Sequence, residues 1–208
     1  YSRTGKEFKA IPHILLALQP VFAKYKGLVL DGEAHNFAFN DNFNKIVSLV
    51  KKVKPNAEEL AESAELIKFY IFDCFGIPLV DNMSAIDRKK FIAEIINDLN
   101  HPSIIALDYT VCNSYDELDV LYDEYQAAGF EGQMINLNVP YANKRTNALL
   151  KRKESIDSEF EILDIIDGEG RNEECAKLIL KCDSGTFDAN LTGSLEDSKE
   201  VYRNRKQH

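Results

Sequence analysis

The sequence predicts an α+β fold in two parts, and three observations predict it. Strand-like and helix-like segments alternate up to about residue 155. Beyond that point the texture changes to short β runs separated by Gly and Asp turns, the pattern of a small antiparallel sheet or barrel. No internal repeat and no low-complexity linker interrupts the chain, and the stretch around Ser155–Ser158 is short and polar. These features divide the chain into residues 1–154 and 155–208.

The elements follow in order. "IPHILLALQPVFAKYKG" carries apolar residues at near-helical spacing and stops at Gly27, which predicts a helix bent at Pro20. "LVLDGEAHN" is a short β-rich run with a turn-prone Asp31-Gly32 inside it. "NFNKIVSLVKKVK" repeats Phe43, Ile46, Val47 and Val50, an amphipathic helix ended by Pro55. "AEELAESAELI" is helical and leads into "KFYIFDCFG", whose aromatic and β-branched content predicts a buried strand. "SAIDRKKFIAEIINDL" is a helix capped by Ser84, with Ile86, Phe91, Ile92, Ile95, Ile96 and Leu99 as its apolar stripe. A strand "SIIALDYTVC", a helix "SYDELDVLYDEYQAAG" and strands "EGQMINL" and "ALLKRK" follow. The second part supplies strands "EFEILDIIDG", "AKLILKCD" and "TFDANLTG", then a helix "LEDSKEVYRNRK".

Composition bounds what such a chain can do. A length of 208 residues, 45% hydrophobic and 28% charged, suits one sizeable core or two small ones. No apolar run approaches the roughly 18 residues that span a bilayer, no signal-like segment leads the chain, and no membrane partner is expected. Cys74, Cys112, Cys175 and Cys182 lack C-x-x-C spacing, so buried free thiols in a reducing compartment are expected rather than zinc or disulfides. The net charge is −9, yet binding depends on the local field of one face. Acid gathers in "NAEELAESAEL", "SYDELDVLYDEY" and "DGEGRNEE", and base gathers at Arg3, Lys6, Lys9 and in "NKRTNALLKRK". A cationic site therefore remains open to an acidic protein.

Five stretches combine charge with strand ends. Arg3 and Lys6 begin the chain in "SRTGK", but Gly5-Lys6 lacks the upstream glycine and following hydroxyl of a P-loop. Glu33 follows "LDG", Phe72 and Asp73 lie in "FYIFDCF", Glu131 opens "EGQMI", and Lys151 and Lys153 alternate in "LLKRK". Residues two apart in a strand share a face, so Lys151 and Lys153 point together and Arg152 points away. Two ammonium groups on one face repel unless an anion lies between them or water screens them. A phosphate would relieve that repulsion, with Glu131 and Glu33 holding the accompanying divalent metal.

In this order the stretches resemble the nucleotidyltransferase motifs of ATP-dependent polynucleotide ligases, with phage and viral DNA ligases nearest. "SRTGK" is similar to the segment downstream of the lysine nucleophile, "LDGE" to motif III, "FYIFDCF" to motif IIIa, "EGQMI" to motif IV and "LLKRK" to motif V. "KRKESIDSEFEI", "SGTFDANLTGS" and "YRNRK" resemble the entry to an OB domain and its first half. The resemblance implies an adenylation domain of antiparallel sheets flanked by helices over 1–154, then a partial OB-fold over 155–208. It implies ATP and Mg2+ as cofactors, nicked duplex DNA as partner, a monomer, and action in the cytoplasm of a bacterial or phage-infected cell. By the same resemblance Glu33 contacts the ribose and helps organise the metal, Phe72 stacks on adenine, and Glu131 is a metal-associated carboxylate. Lys151 and Lys153 bind the α-phosphate, while Arg3, Lys6 and Arg145 contact DNA phosphate.

One family feature is missing. The nucleophilic lysine of K-x-D-G does not occur: "KYKG" lacks the aspartate and "LDG" lacks the lysine. In the family that motif lies shortly upstream of the Ser-Arg-Thr segment, so the expectation is a fragment that starts past the nucleophile and stops within the OB domain. Such a fragment should not adenylate itself. RNA end-joining, GTP-dependent capping and a non-catalytic nucleic-acid-binding relative are the alternatives.

Overall fold

The computed structural model describes residues 1–2, 4–39, 42–155 and 157–207. It divides into two compact units, Tyr1–Glu154 and Ser155–His208.

In the first unit, helix α1 (Pro12–Lys24) starts on Pro12, whose fixed φ suits a first helical turn, and carries Pro20 inside it. Strand β1 (Val29–His35) runs through the Asp31-Gly32 pair without turning. The sequence marks that pair as a turn; the structure makes it a strand interior with a register shift. Helices α2 (Phe43–Lys51) and α3 (Ala57–Leu66) are capped by the side chains of Asn42 and Asn56, the second with a full capping box to Glu59. The face α2 buries is Ile46, Leu49 and Val50; Phe43, placed in the stripe by periodicity, is exposed.

Strand β2 (Lys68–Phe75) pairs antiparallel with β1 along its length. After the short α4 (Pro78–Asp81) comes α5 (Ala85–Leu99), capped by Ser84 and closed by Asn100 in the left-handed region at φ 47. Strand β3 (Ile104–Ala106) is shorter than "SIIALDYTVC" suggests and pairs parallel with β2, giving the sheet order β1-β2-β3. Helix α6 (Tyr115–Ala127), capped by Ser114, leads to a separate antiparallel pair, β4 (Gly132–Asn136) and β5 (Leu149–Lys153).

The core lies on one face of the β1-β2-β3 sheet. Ile67, Ile71, Cys74 and Val80 are completely buried, packed with Leu18 and Val21 of α1, Ile46 and Leu49 of α2, and Ile92, Ile95 and Ile96 of α5. Burial pushes the Cys74 thiol up to about 12, so it stays protonated. All four cysteines are free; Cys74 and Cys175 are buried as expected, whereas Cys112 and Cys182 are half-buried because they sit in loop and hairpin ends.

The second unit is an antiparallel sheet of β6 (Ile162–Asp167), β7 (Ala176–Cys182) and β8 (Gly185–Asn190) with α7 (Leu195–Arg203). Helix α7 opens with a Ser194–Asp197 capping box and is tied to β7 where Ser198 Oγ accepts the Ala176 N–H at 3.1 Å. Among the described residues no helix is long and apolar enough to cross a membrane.

Candidate functional site

Cross-strand neighbours in a sheet share a face, so the β1–β2 register decides what the sheet presents. Leu30, Gly32 and Ala34 pair with Cys74, Ile71 and Phe69 and face the core. Asp31 pairs with Asp73 and Glu33 with Tyr70 on the opposite face. Between those pairs the register steps from Asp73 directly to Ile71, which leaves Phe72 as the extra residue of a β-bulge. Phe72 is half-buried and does not belong to the hydrophobic core. Glu33 is exposed and has no ion-pair partner among the described residues.

The motif glycines are set by backbone approach. A Cβ on Gly32 would lie 2.5 Å from the Tyr70 carbonyl oxygen and 2.7 Å from the Phe69 ring. On Gly132 it would lie 2.1 Å from the Arg152 carbonyl oxygen and 2.9 Å from the Lys153 Cα. Glycine is the residue that lets the partner strand close over Asp31–Glu33 and over Glu131–Gln133.

The second cluster is built by the β4–β5 pair. Gly132 opposes Lys153 and Met134 opposes Lys151, so both lysines emerge on one face, with Glu131 just ahead of β4. Lys151 Nζ donates to Glu131 Oε2 at 3.1 Å and Lys153 Nζ to Oε1 at 3.3 Å. The sequence leads one to expect a phosphate at the two ammonium groups and Glu131 at a metal; in the structure the Glu131 carboxylate itself accepts from both lysines. These two hydrogen bonds, Lys151 first, hold the Glu131 carboxyl below the usual carboxylate range. Arg152 points away as predicted, to Asp119 at 2.5 Å, with its guanidinium 4.1 Å from the Tyr122 ring centroid.

Other sequence-marked residues are placed more loosely. In "SRTGK" the Gly5 N–H donates to the Ser2 carbonyl at 2.8 Å, Gly5 has φ +76, and the Lys6 N–H reaches Ser2 Oγ at 3.0 Å. This is a tight turn with Lys6 exposed; Arg3 lies outside the described residues. Arg145 is exposed in the β4–β5 connection and forms no ion pair among the described residues.

Among the described residues no group of three or more His, Cys, Asp or Glu side chains is placed to hold a metal ion. Mg2+ asks for less than such a group, taking one or two carboxylates and completing its shell with water and substrate phosphate. Glu131 and Glu33 are carboxylates of that kind.

The sequence reading missed a buried node beside this face. Arg88, 1% exposed, donates Nε to Asp73 Oδ1 at 2.6 Å and Nη2 to Oδ2 at 3.0 Å. Its Nη1 reaches the carbonyls of Met83 at 2.7 Å and Val139 at 3.0 Å. Tyr141 stacks on Phe75 at 4.4 Å and 5°, and its hydroxyl donates to Asp31 Oδ2 at 3.0 Å. Asp73 inside an apolar strand was the available signal, because a buried carboxylate needs a cation from somewhere.

The family model for the ATP-dependent DNA ligase domain matches residues 1–153. The DNA ligase of Enterobacteria phage T4 is 27% identical over 144 residues, covering 67% of this chain and 30% of the phage protein. The phage T6 enzyme is 26% identical over the same length. The chain thus spans about a third of these relatives. Among solved structures, one described as Pmar-Lig_PreS3 has TM-score 0.70 and 23% identity, over 100% of this chain and 50% of the other. Chlorella virus DNA ligase-adenylate has TM-score 0.53 and 19% identity, over 99% and 74%. These likenesses show the fold; the family model and the phage relatives do not favour the RNA-ligase and capping alternatives. With a family match over most of its length, the chain belongs to the ATP-dependent DNA ligase domain family.

Proposed function

We propose that this chain provides the nucleotide-binding and phosphate-binding part of an ATP-dependent DNA ligase, acting on nicked duplex DNA. The observation that carries the reading is the convergence of Lys151 and Lys153 on one anionic group at the end of the β4–β5 pair. Two fixed ammonium groups suit an α-phosphate, where they stabilise charge that grows as the phosphoryl group transfers. Phe72, the extra residue of the bulge and outside the core, suits stacking on adenine, and Glu33 on the same sheet suits the ribose. Glu131 and Glu33 would hold Mg2+, which when bound offsets phosphate charge. Arg3, Lys6 and Arg145 would grip DNA phosphate. We also read the compartment as intracellular and reducing, which the four free thiols support.

A nucleotide phosphate would take the place of the Glu131 carboxylate on the two lysines, which would leave that carboxylate free to hold Mg2+. The covalent lysyl-AMP step needs the K-x-D-G lysine, which these 208 residues do not contain. The test therefore has two arms. The 208-residue chain should bind AMP more tightly than GMP, lose that binding in K151A or K153A, and give no AMP adduct that survives denaturation. A longer gene product that includes a K-x-D-G should seal a nicked duplex with ATP and magnesium. Equal binding of AMP by K151A and K153A, or an adduct on the 208 residues alone, would overturn the assignment.

A further inference from the structure

The two halves of the proposed site stand on different sheets: Glu33 and Phe72 on β1–β2, and Glu131, Lys151 and Lys153 around β4–β5. Among the described residues no strand ladder joins those sheets. Their spacing therefore depends on side chains, and a nucleotide that spans base and phosphate reads that spacing directly.

Two places bridge the gap. On one side Phe37 meets Phe130, just before Glu131, edge-on at 6.3 Å. On the other, the β4–β5 connection folds back over β1–β2. Its base is closed by the Leu137 N–H to the Ala148 carbonyl at 2.8 Å. Asn138 Oδ1 accepts the Ile86 N–H at 3.0 Å, the Val139 carbonyl accepts from Arg88 at 3.0 Å, and Tyr141 reaches Asp31 at 3.0 Å while stacking on Phe75.

The reason these contacts form is electrostatic. The register sets Asp31 directly opposite Asp73, and like charges at that position repel. Arg88 neutralises Asp73 with two hydrogen bonds, and the Tyr141 hydroxyl satisfies Asp31. Each acid thus recruits a partner that also grips the connection, and the Arg88 guanidinium lies 5.7 Å from the Tyr141 ring. Burial and the Asp31 charge raise the Tyr141 pKa, so the hydroxyl keeps its proton and donates.

We infer that Tyr141, with Arg88, is a positioning residue that latches the β4–β5 connection to β1–β2 and so sets the distance between the base-binding and phosphate-binding groups. The inference rests on the nucleotide reading above. Its signature is the phosphate increment, the ratio of AMP affinity to adenosine affinity, because adenosine engages one sheet and AMP engages both.

Calorimetric titration of the 208-residue chain with adenosine and with AMP tests it, alongside thermal unfolding of each variant. Tyr141→Ala removes the hydroxyl and the stack, and Tyr141→Phe keeps the stack. In Y141A the increment should fall at least about tenfold, within the ~100-fold that a 1 Å misplacement can cost. Adenosine affinity should stay within about twofold, and Y141F should recover part of the loss. Equal losses for adenosine and AMP would make Tyr141 merely structural or a direct base contact, and an unchanged increment would remove any positioning role; either overturns the inference alone. If wild-type protein shows no increment at all, the nucleotide reading falls and the inference with it.

Discussion

Replacing Gly132 with alanine should displace Lys153 without touching it. The added Cβ would sit 2.1 Å from the Arg152 carbonyl oxygen, and Cβ contacts below 3.0 Å essentially do not occur. The obstacle is backbone, so no side-chain rotation relieves it, and β4 must move off β5 by at least about 0.9 Å. Gly132 is the cross-strand partner of Lys153, so the displacement acts where the two lysines meet Glu131. Overpacking of this kind costs about 1–3 kcal/mol of stability. A shift near 1 Å at a charge-stabilising group costs up to about 100-fold in function. Urea unfolding followed by circular dichroism gives the first quantity, and AMP titration gives the second. G129A is the control: at φ +82 an alanine is strained by about 1–2 kcal/mol, yet nothing lies within 4 Å of its Cβ. G132A should lose AMP affinity at least about tenfold more than G129A at comparable stability. If the two variants bind AMP alike, the close approach of β4 and β5 does not set the lysines, and the reasoning fails.

Two further outcomes follow from buried groups. Arg88→Met leaves Asp73 charged and unpaired in the interior, which should cost about 3–5 kcal/mol in urea unfolding, while D73L/R88M should recover part of that loss. A loss below about 1 kcal/mol for R88M would show that the pair is not the buried node described here. His13 Nε2 donates to the Ile67 carbonyl at 3.0 Å and so carries the ring proton, while the buried Nδ1 has no partner among the described residues. Burial lowers its pKa, so below about pH 6.5 the unfolded chain binds the proton first and stability falls as pH falls. H13N should flatten the decline in urea midpoint between about pH 7 and 5.5, and an unchanged slope would exclude His13 as its source.

Much of the fold was readable because it depends on local signals. Ser84 announces its helix one residue ahead and caps it as a side-chain acceptor. The lysine alternation in "LLKRK" needed only the two-residue period of a strand. What stayed hidden depends on register. Glu131 and Lys151 are far apart in sequence, and only the pairing of Met134 with Lys151 brings them together. Phe72 looks like an ordinary core position until the step from Asp73 to Ile71 makes it a bulge. Arg88 sits among lysines in "DRKKF" and reads as a solvated face; its burial follows from Asp73, which is on another element. Tyr141 lies in a connection with no periodicity at all, so its contact with Asp31 left no mark on the sequence.

Under the proposed function, the clasp around Glu131 would let an acidic chain keep a phosphate site available. Lys151, Lys153 and Glu131 are 50%, 54% and 66% exposed, and ion pairs that wet are weak. A phosphate that carries more charge and more acceptor oxygens than a carboxylate can therefore displace Glu131 at small cost. Until it does, the carboxylate holds the two ammonium groups at hydrogen-bonding distance from a common point and cancels part of their repulsion. The exchange also gives a sign to the coupling between ligands. On that reading, a cation that drew Glu131 away would leave the lysines short of an anion and raise their affinity for phosphate. Phosphate taking the lysines would leave Glu131 free for the cation, and linkage would require the two effects to be equal.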